Sequence, residues 1–308
     1  MTDTALTGAT GFVGRRLLAM LLAENHSVRA LAREGRTLPE HEHLSRITGS
    51  LSDVNALKSL VSGADVVIHL AGATSGFDYR DLARTNVAGC QRLLQAMATS
   101  APAARLIHVS SLAAREPQLS DYAASKHAGE EVVHAAANNW LIIRPPAVYG
   151  PEDPALAPLW RLLARGWLPR IGSDQARFSL LHVDDLCSAL IRSAEGDWPE
   201  NTLIELHDGR PDGYSWNEIA AIAADIRGRR VRAIKVPEGV LKAIGATHLA
   251  LARMRRTRPP VLVPNKVSEL VHPDWVCDNT RLPGCPDWRP IRTLENSLTT
   301  LPGWKKFQ

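Results

Sequence analysis

Two stretches of this sequence carry residues whose types and spacing suit chemistry. In "DYAASKHAGEE" (121–131), Tyr122 stands four residues before Lys126, and it is one of only four tyrosines, with Tyr79, Tyr149 and Tyr214. At i and i+4 the two side chains share one face of a helix. A phenol with an ordinary pKa of about 10 is a poor base at neutral pH. A neighbouring ammonium favours the phenolate and lowers that value, so the pair can pass a proton to or from a substrate oxygen. A hydroxyl that holds the same oxygen would complete the site. "HVSS", just upstream, offers Ser111, with Ser110 behind it.

The second stretch is "TGATGFVG" (7–14), which sets Gly8, Gly11 and Gly14 in a G-x-x-G-x-x-G pattern between an expected strand and an expected helix. A tight turn needs a residue free of Cβ clash. A second glycine lets the backbone approach a pyrophosphate, and a third lets helix and strand pack closely. The helix N-terminus then presents unpaired N–H groups and a positive dipole end to phosphates. The pattern predicts a dinucleotide site. At the end of the next strand, "SVRALA" (27–32), stand Arg33 and then Glu34. A guanidinium there matches a 2′-phosphate, with Arg36 and Arg15 in reserve, and NADP is the expected cofactor. Glu34 on the ribose would suit NAD. With a nicotinamide in place, Lys126 can hold its ribose while Tyr122 moves the proton that accompanies hydride.

The elements that must position these groups alternate. Strand-type runs fall at 4–7, 27–32, 65–72, 105–111 and 140–150, and helical stretches at 14–25, 53–64, 86–100 and 125–139. This rhythm predicts an α/β fold, a doubly wound parallel sheet with helices on both faces and a smaller C-terminal lobe. After Gly150 the prolines at 151, 154 and 158 break the rhythm, and helical segments at 156–166, 183–194 and 214–226 follow. We expect residues 1–150 to bind the dinucleotide, with returning segments near 175–190, and residues 151–308 to form mainly the substrate lobe.

Composition is that of an ordinary globular chain, 45% hydrophobic and 22% charged with net charge +4, which gives no reason to expect a nucleic-acid partner. No leader-like apolar segment opens the chain and no run of about 18 apolar residues occurs, so no membrane insertion is expected. Cys90, Cys187, Cys277 and Cys285 form no C-x-x-C pair, which predicts reduced thiols, no metal site and a cytoplasmic location. The sharpest charge cluster is "ARMRRTR" (252–258), after an apolar, helix-like stretch at 239–251. It reads as a solvated basic end, an anionic-substrate clamp or a membrane-surface contact.

Taken together, these motifs resemble the extended short-chain dehydrogenase/reductase family, which includes the NAD-dependent epimerases and dehydratases, dihydroflavonol reductases and 3β-hydroxysteroid dehydrogenases. The likeness covers about residues 1–190 through "TGATGFVG", "HLAG", Asn86, "VSS", "YAASK", "RPPAVYGP" and "HVDDL". It implies catalysis by Ser111, Tyr122 and Lys126. It implies cofactor contacts at Gly8, Thr10, Gly11, Phe12, Val13 and Gly14, at Arg33, at Ser50 and Leu51, and at Leu70, Ala71 and Gly72. It also implies them at Asn86, which falls where the family's asparagine structures the active site, and at Pro145, Ala147 and Val148. In "HVDDL" we expect Asp184 or Asp185 to cap the following helix. Two departures stand out. "GSL" (49–51) replaces the family's frequent "GDL", and the stretch from Ser111 to Tyr122 is shorter than in many sugar-nucleotide enzymes.

Three activities fit. The first is an NADP(H)-dependent reductase or dehydrogenase acting on a carbonyl or hydroxyl of a small organic substrate. The second is a nucleotide-sugar epimerase or dehydratase with tightly held NAD, for which Arg161, Arg165, Arg170 and Arg177 offer a diphosphate clamp. The third is a non-catalytic NADP sensor, which the intact Ser-Tyr-Lys set opposes. The apolar second lobe, with Trp160, Trp167 and Trp216 expected in its core, suits a hydrophobic substrate. The family also makes a homodimer an expectation.

Overall fold

The computed structural model describes residues 2–196, 198–278 and 288–307. Cys285 lies outside them, and Cys90, Cys187 and Cys277 are buried free thiols. The first six strands are β1 (Asp3–Thr7), β2 (Ser27–Ala32), β3 (Leu44–Thr48), β4 (Val66–His69), β5 (Arg105–Val109) and β6 (Trp140–Arg144). They join a returning strand, Thr202–Glu205, in a seven-stranded parallel sheet ordered Thr202–Glu205, β6, β5, β4, β1, β2, β3. The order reverses between β1 and β4, which opens a crevice at the carboxyl edge of the sheet.

The helices are α1 (Phe12–Ala23), α2 (Val54–Val61), α3 (Tyr79–Asn86), α4 (Ala88–Ser100), α5 (Asp121–Ala136), α6 (Ala157–Ala164), α7 (Val183–Glu195), α8 (Trp216–Arg227), α9 (Glu238–Met254) and α10 (Lys266–Val271). Successive strand residues point to opposite faces, and the two cores follow from this. Leu6, Ile68, Ile107 and Ile143 pack against α1 and α7. Their neighbours Ala5, Val67, Leu106 and Ile142 pack against α2, α4 and Val133 of α5. Each fully buried leucine or isoleucine contributes about 1.5–3 kcal/mol, so the sheet is a rigid platform.

A third core, in the second lobe, gathers Tyr149, Trp160, Leu163, Tyr214, Leu298, Leu301 and Trp304. Trp160 belongs to it and Trp216 packs on it, but Trp167 is exposed and stacks under Arg232. The lobe is tied back to the sheet half where Leu180–His182 pairs in parallel with Ala147–Tyr149.

The structure departs from the sequence reading in places that have physical causes. The run at 140–150 is broken after Arg144, where Pro145 and Pro146 remove two ladder donors. β3 and α3 are additional elements; β3 is a largely exposed edge strand and α3 is dominated by polar residues, so neither carries a strong apolar pattern. The helix read at 239–251 runs on to Met254. His182, not either aspartate, caps α7, its Nδ1 accepting from the Asp184 N–H at 3.2 Å. Asp184 instead accepts from Arg16 Nε at 2.6 Å, fastening α7 to α1. Asp185 accepts from the Ile291 and Arg292 N–H groups, holding the C-terminal segment.

Candidate active site

The glycine loop separates what the chain itself requires from what a ligand would require. Gly8 has φ +77°, and a Cβ on it would lie 2.7 Å from Ala71 N. A Cβ on Gly14 would lie 2.0 Å from Gly8 O. These two are demanded by the packing of β1, β4 and α1. Gly11 is exposed and its Cβ would meet only Gly8 O at 3.3 Å, so its missing side chain leaves room on the outer side. It is also the N-cap of α1, with no side-chain cap and no acid in the first turn. By contrast α2, α3 and α5 are capped by Asp53, Asp78 and Ser120. An uncapped helix end beside an open glycine suits a phosphate.

Around that loop, Thr10, Phe12 and Val13 are half-buried. Thr7 is a buried polar residue in the central strand β1. Thr7 Oγ1 accepts from the Ala71 N–H at 3.2 Å and sits 2.7 Å from His69 Nδ1, fixing the backbone of Leu70–Gly72. Arg33 is exposed at the end of β2, and its carbonyl accepts from Arg46 at 3.2 Å. Arg46, on the unexpected strand β3, is a second guanidinium at the same end. Ser50 is occupied in its own turn, 2.8 Å from Ser52 Oγ, and Leu51 packs over Gly89. Pro145 is buried and its carbonyl accepts from Leu112 N–H, while Ala147 is exposed and Val148 half-buried.

The catalytic candidates converge beyond the ends of β4 and β5. Helix α5 begins at Asp121, so Tyr122 lies in its first turn and Lys126 one turn on. Ser111 lies near enough to the Tyr122 hydroxyl to favour its ionised form, and the Ser111 Oγ accepts from the Ala113 N–H at 3.2 Å. Lys126 is buried, donates from Nζ to the Val109 carbonyl at 2.9 Å and lies close to Gly72. Ser110 turns the other way, donating to Glu130, to which Arg144 donates from Nε at 2.9 Å and from Nη2 at 2.6 Å. Asn86 is buried and clamps the site: Oδ1 accepts from Ala73 N–H at 2.7 Å, while Nδ2 donates to Ala73 O and Ser125 Oγ. These bonds occupy its amide within the protein and tie the loop after β4 to α5. Gly129 permits the approach, since a Cβ there would sit 2.7 Å from Asn86 O.

The electrostatics differ from the sequence expectation. Burial raises the Tyr122 pKa to about 12; the nearby Ser111 hydroxyl opposes this and the Glu269 charge adds to it. Lys126 does not offset the burial, and its own pKa falls to about 8, through burial first, with Glu130 pulling it back. Tyr122 is therefore a protonated acid at neutral pH. Beneath Lys126 lie His69 and His108, ring centroids 5.2 Å apart, with Cys90. Burial and then the Lys126 charge push His69 down to about 3 and His108 well below its usual range. The ligating atoms of the three lie within 4.8 Å of one another. Burial keeps the histidines neutral, and the Lys126 charge beside them opposes a metal cation there.

Two residues escaped the sequence reading. Lys266 Nζ lies 4.1 Å from the Tyr122 ring centroid and 3.0 Å from Glu269, which accepts from Ser120 Oγ at 2.6 Å. Helix α10 of the second lobe is thereby fastened to the start of α5. A small cleft opens beside Tyr122, walled by Thr74, Ser75, Leu82, Val261, Val263 and Lys266 among others. The arginines considered as a diphosphate clamp do not line it. Arg170 pairs with Asp174, and Arg177 bonds to Asp212 O, Gly213 O and Glu218.

The sequence profile of the NAD dependent epimerase/dehydratase family matches residues 4–201. The chain belongs to that family. Curated relatives of the chain include a ceramide reductase of Caulobacter vibrioides, 40% identical over 273 residues, which span 88% of this chain and 84% of that protein. A mitochondrial NADH dehydrogenase [ubiquinone] 1 alpha subcomplex subunit 9 of Arabidopsis thaliana is 30% identical over 78% of this chain and 61% of its own length. Among solved structures, MoeE5 in complex with UDP-glucuronic acid and NAD superposes with TM-score 0.73 at 22% identity, covering 99% of each chain. That likeness establishes the fold. The chain is thus an enzyme of a nicotinamide-dependent reductase and epimerase family.

Proposed function

We propose that this enzyme is an NADP(H)-dependent reductase of a lipid-like ketone, of the class related to ceramide. One observation carries the reading: Tyr122 is a phenol kept protonated by burial, with Ser111 beside it, on a cleft that Leu82, Val261 and Val263 line together with polar side chains and that bears no arginine. An acid at that place suits carbonyl reduction, where the substrate oxygen must gain a proton. The identity to a ceramide reductase over most of the chain supports the substrate class.

The residues present fit a dinucleotide. Gly8, Gly11 and the uncapped start of α1 would hold the pyrophosphate. Arg33 and Arg46 would meet a 2′-phosphate, which favours NADP over NAD. Leu70–Gly72 and Pro145–Val148 would line the nicotinamide end, with Lys126 toward its ribose. When bound, the dinucleotide supplies the hydride that the carbonyl carbon receives. The chain does the rest. Ser111 orients the carbonyl oxygen, the Tyr122 O–H donates its proton to that oxygen, and Lys126 adds a positive charge behind the forming alkoxide. Asn86 and the Glu130–Arg144 pair hold α5 and the strand ends at the required spacing.

The test is to mix the purified enzyme with NADPH or NADH and a panel of 3-ketoceramides, short-chain ketones and UDP-sugars. The expected outcome is consumption of reduced nucleotide with a ketolipid, with kcat/KM higher for NADPH. Epimerised UDP-sugar, with NAD retained by the protein through dialysis, would contradict the reading.

A further inference from the structure

Helix α9 presents two sides. Its inner seam is Leu241, Gly245 and Ala252, the residues that are buried. A Cβ on Gly245 would lie 3.1 Å from the Val263 carbonyl carbon, so this seam rests on the same Val261–Val263 segment that walls the cleft beside Tyr122. About a third of a turn away runs a second stripe at i, i+4, i+7, i+11 and i+14: Val240, Ile244, Thr247, Leu251 and Met254. Val240 is 46% exposed, Ile244 40% and Met254 72%. Apart from Thr247 the stripe is apolar, and Leu251 on it is half-buried.

The segment that carries this face is strongly basic. Residues 228–265 hold nine arginines and lysines against one acid, Glu238, a net of +8 on 38 residues. The whole chain is +4, so the other 270 residues carry a net −4. All nine cations are exposed, and Arg253, Arg255, Arg256 and Arg258 cluster where the stripe ends. Arg253 also reaches across to the loop on the opposite side of the cleft, donating to Phe77 O at 3.5 Å and lying over the Phe77 ring. The basic end of α9 therefore stands at the entrance of the cleft.

We infer that the outer face of α9, with the arginines that follow it, docks on an anionic lipid bilayer and sets the cleft entrance against the membrane. An apolar stripe flanked by arginines is the pattern of a helix lying in the headgroup layer, and each cation near an anionic surface adds to the attraction. A second copy of the chain would bring like charge onto like charge. No described helix is long and apolar enough to cross a membrane, so the contact is peripheral. The inference deepens the ketolipid reading and rests on it for what passes through the cleft: a lipid would reach Tyr122 from the bilayer without crossing water.

The test is sedimentation of the full chain with vesicles of phosphatidylcholine, with and without phosphatidylglycerol, read independently of turnover. Wild type should bind the anionic vesicles at least ~10-fold more tightly than the neutral ones, with binding weakened by salt. Arg255→Glu/Arg256→Glu/Arg258→Glu and, separately, Ile244→Asp should each lose that binding while reduction of a soluble short-chain ketone stays unchanged. Equal sedimentation of wild type and variants, or none, overturns the docking even if ketolipid is reduced in detergent. A dimer that Ile244→Asp converts to monomer, with no vesicle binding, assigns the face to a second copy and overturns it too. Vesicle binding without ketolipid turnover upholds the docking and removes only the substrate class.

Discussion

The surroundings of Lys126 and the outer face of α9 are built on opposite terms. Around Lys126 polar groups are buried and several are held by more than one partner: Asn86 by three bonds, Glu130 by Ser110 and by Nε and Nη2 of Arg144, Thr7 between His69 and Ala71. Along α9 three residues are buried, and apolar and cationic groups stand in water. A reaction that moves a proton between fixed atoms needs the first kind of construction. A surface that meets a soft, laterally mobile partner needs only sign and apolarity. Rigidity is spent where geometry decides the rate and is absent where it does not.

The largest expected break in this contrast comes from Lys126→Met. It removes the ammonium, and turnover should fall by at least ~100-fold. Stability should move the other way. In the unfolded chain this lysine titrates at its ordinary value of 10.5, and in the folded chain at about 8. At pH 7 the folded state therefore carries a buried charge that costs on the order of 3 kcal/mol. That cost is fully present below pH 8 and fades as pH rises toward 10.5. Denaturant unfolding should show the variant more stable than wild type at pH 7, with the gap closing at alkaline pH. Wild-type kcat/KM for reduction should fall above about pH 8, by about tenfold per unit for loss of one essential proton. A less stable variant would mean the ammonium is a structural tie rather than a tolerated burden.

A smaller effect is expected from Asn86→Ala. It leaves the Ala73 N–H and C=O without their side-chain partner, at about 2–3 kcal/mol. Because Asn86 positions rather than reacts, kcat should fall about 10-fold while the pH profile keeps its shape. A shifted profile would place Asn86 in the proton path instead.

How much of this could be read in advance follows from the range of the interactions. Ser111, Tyr122, Lys126 and the glycines declare themselves through local spacing, since a turn or a helix face brings near neighbours together. The alternation of strands and helices was legible for the same reason, while β3 and α3, largely exposed or polar, carry little pattern. Lys266 and Glu269 reach Tyr122 and Ser120 across more than 140 residues, and no local pattern announces them. The Tyr122 pKa was read in the wrong direction because desolvation depends on what the fold places around a group. The basic cluster at 252–258 was visible as charge, but its place at the cleft entrance needed the contact between Arg253 and Phe77.

The central claim is that the Tyr122 hydroxyl donates the proton. Its most direct test is Tyr122→Phe, with single-turnover reduction and nucleotide binding measured on the same preparation. Reduction should slow at least ~100-fold while the nucleotide dissociation constant stays within about threefold, since Tyr122 lies beside Ser111 in the first turn of α5 and not on the glycine loop. Reduction at the wild-type rate by the phenylalanine variant would contradict it.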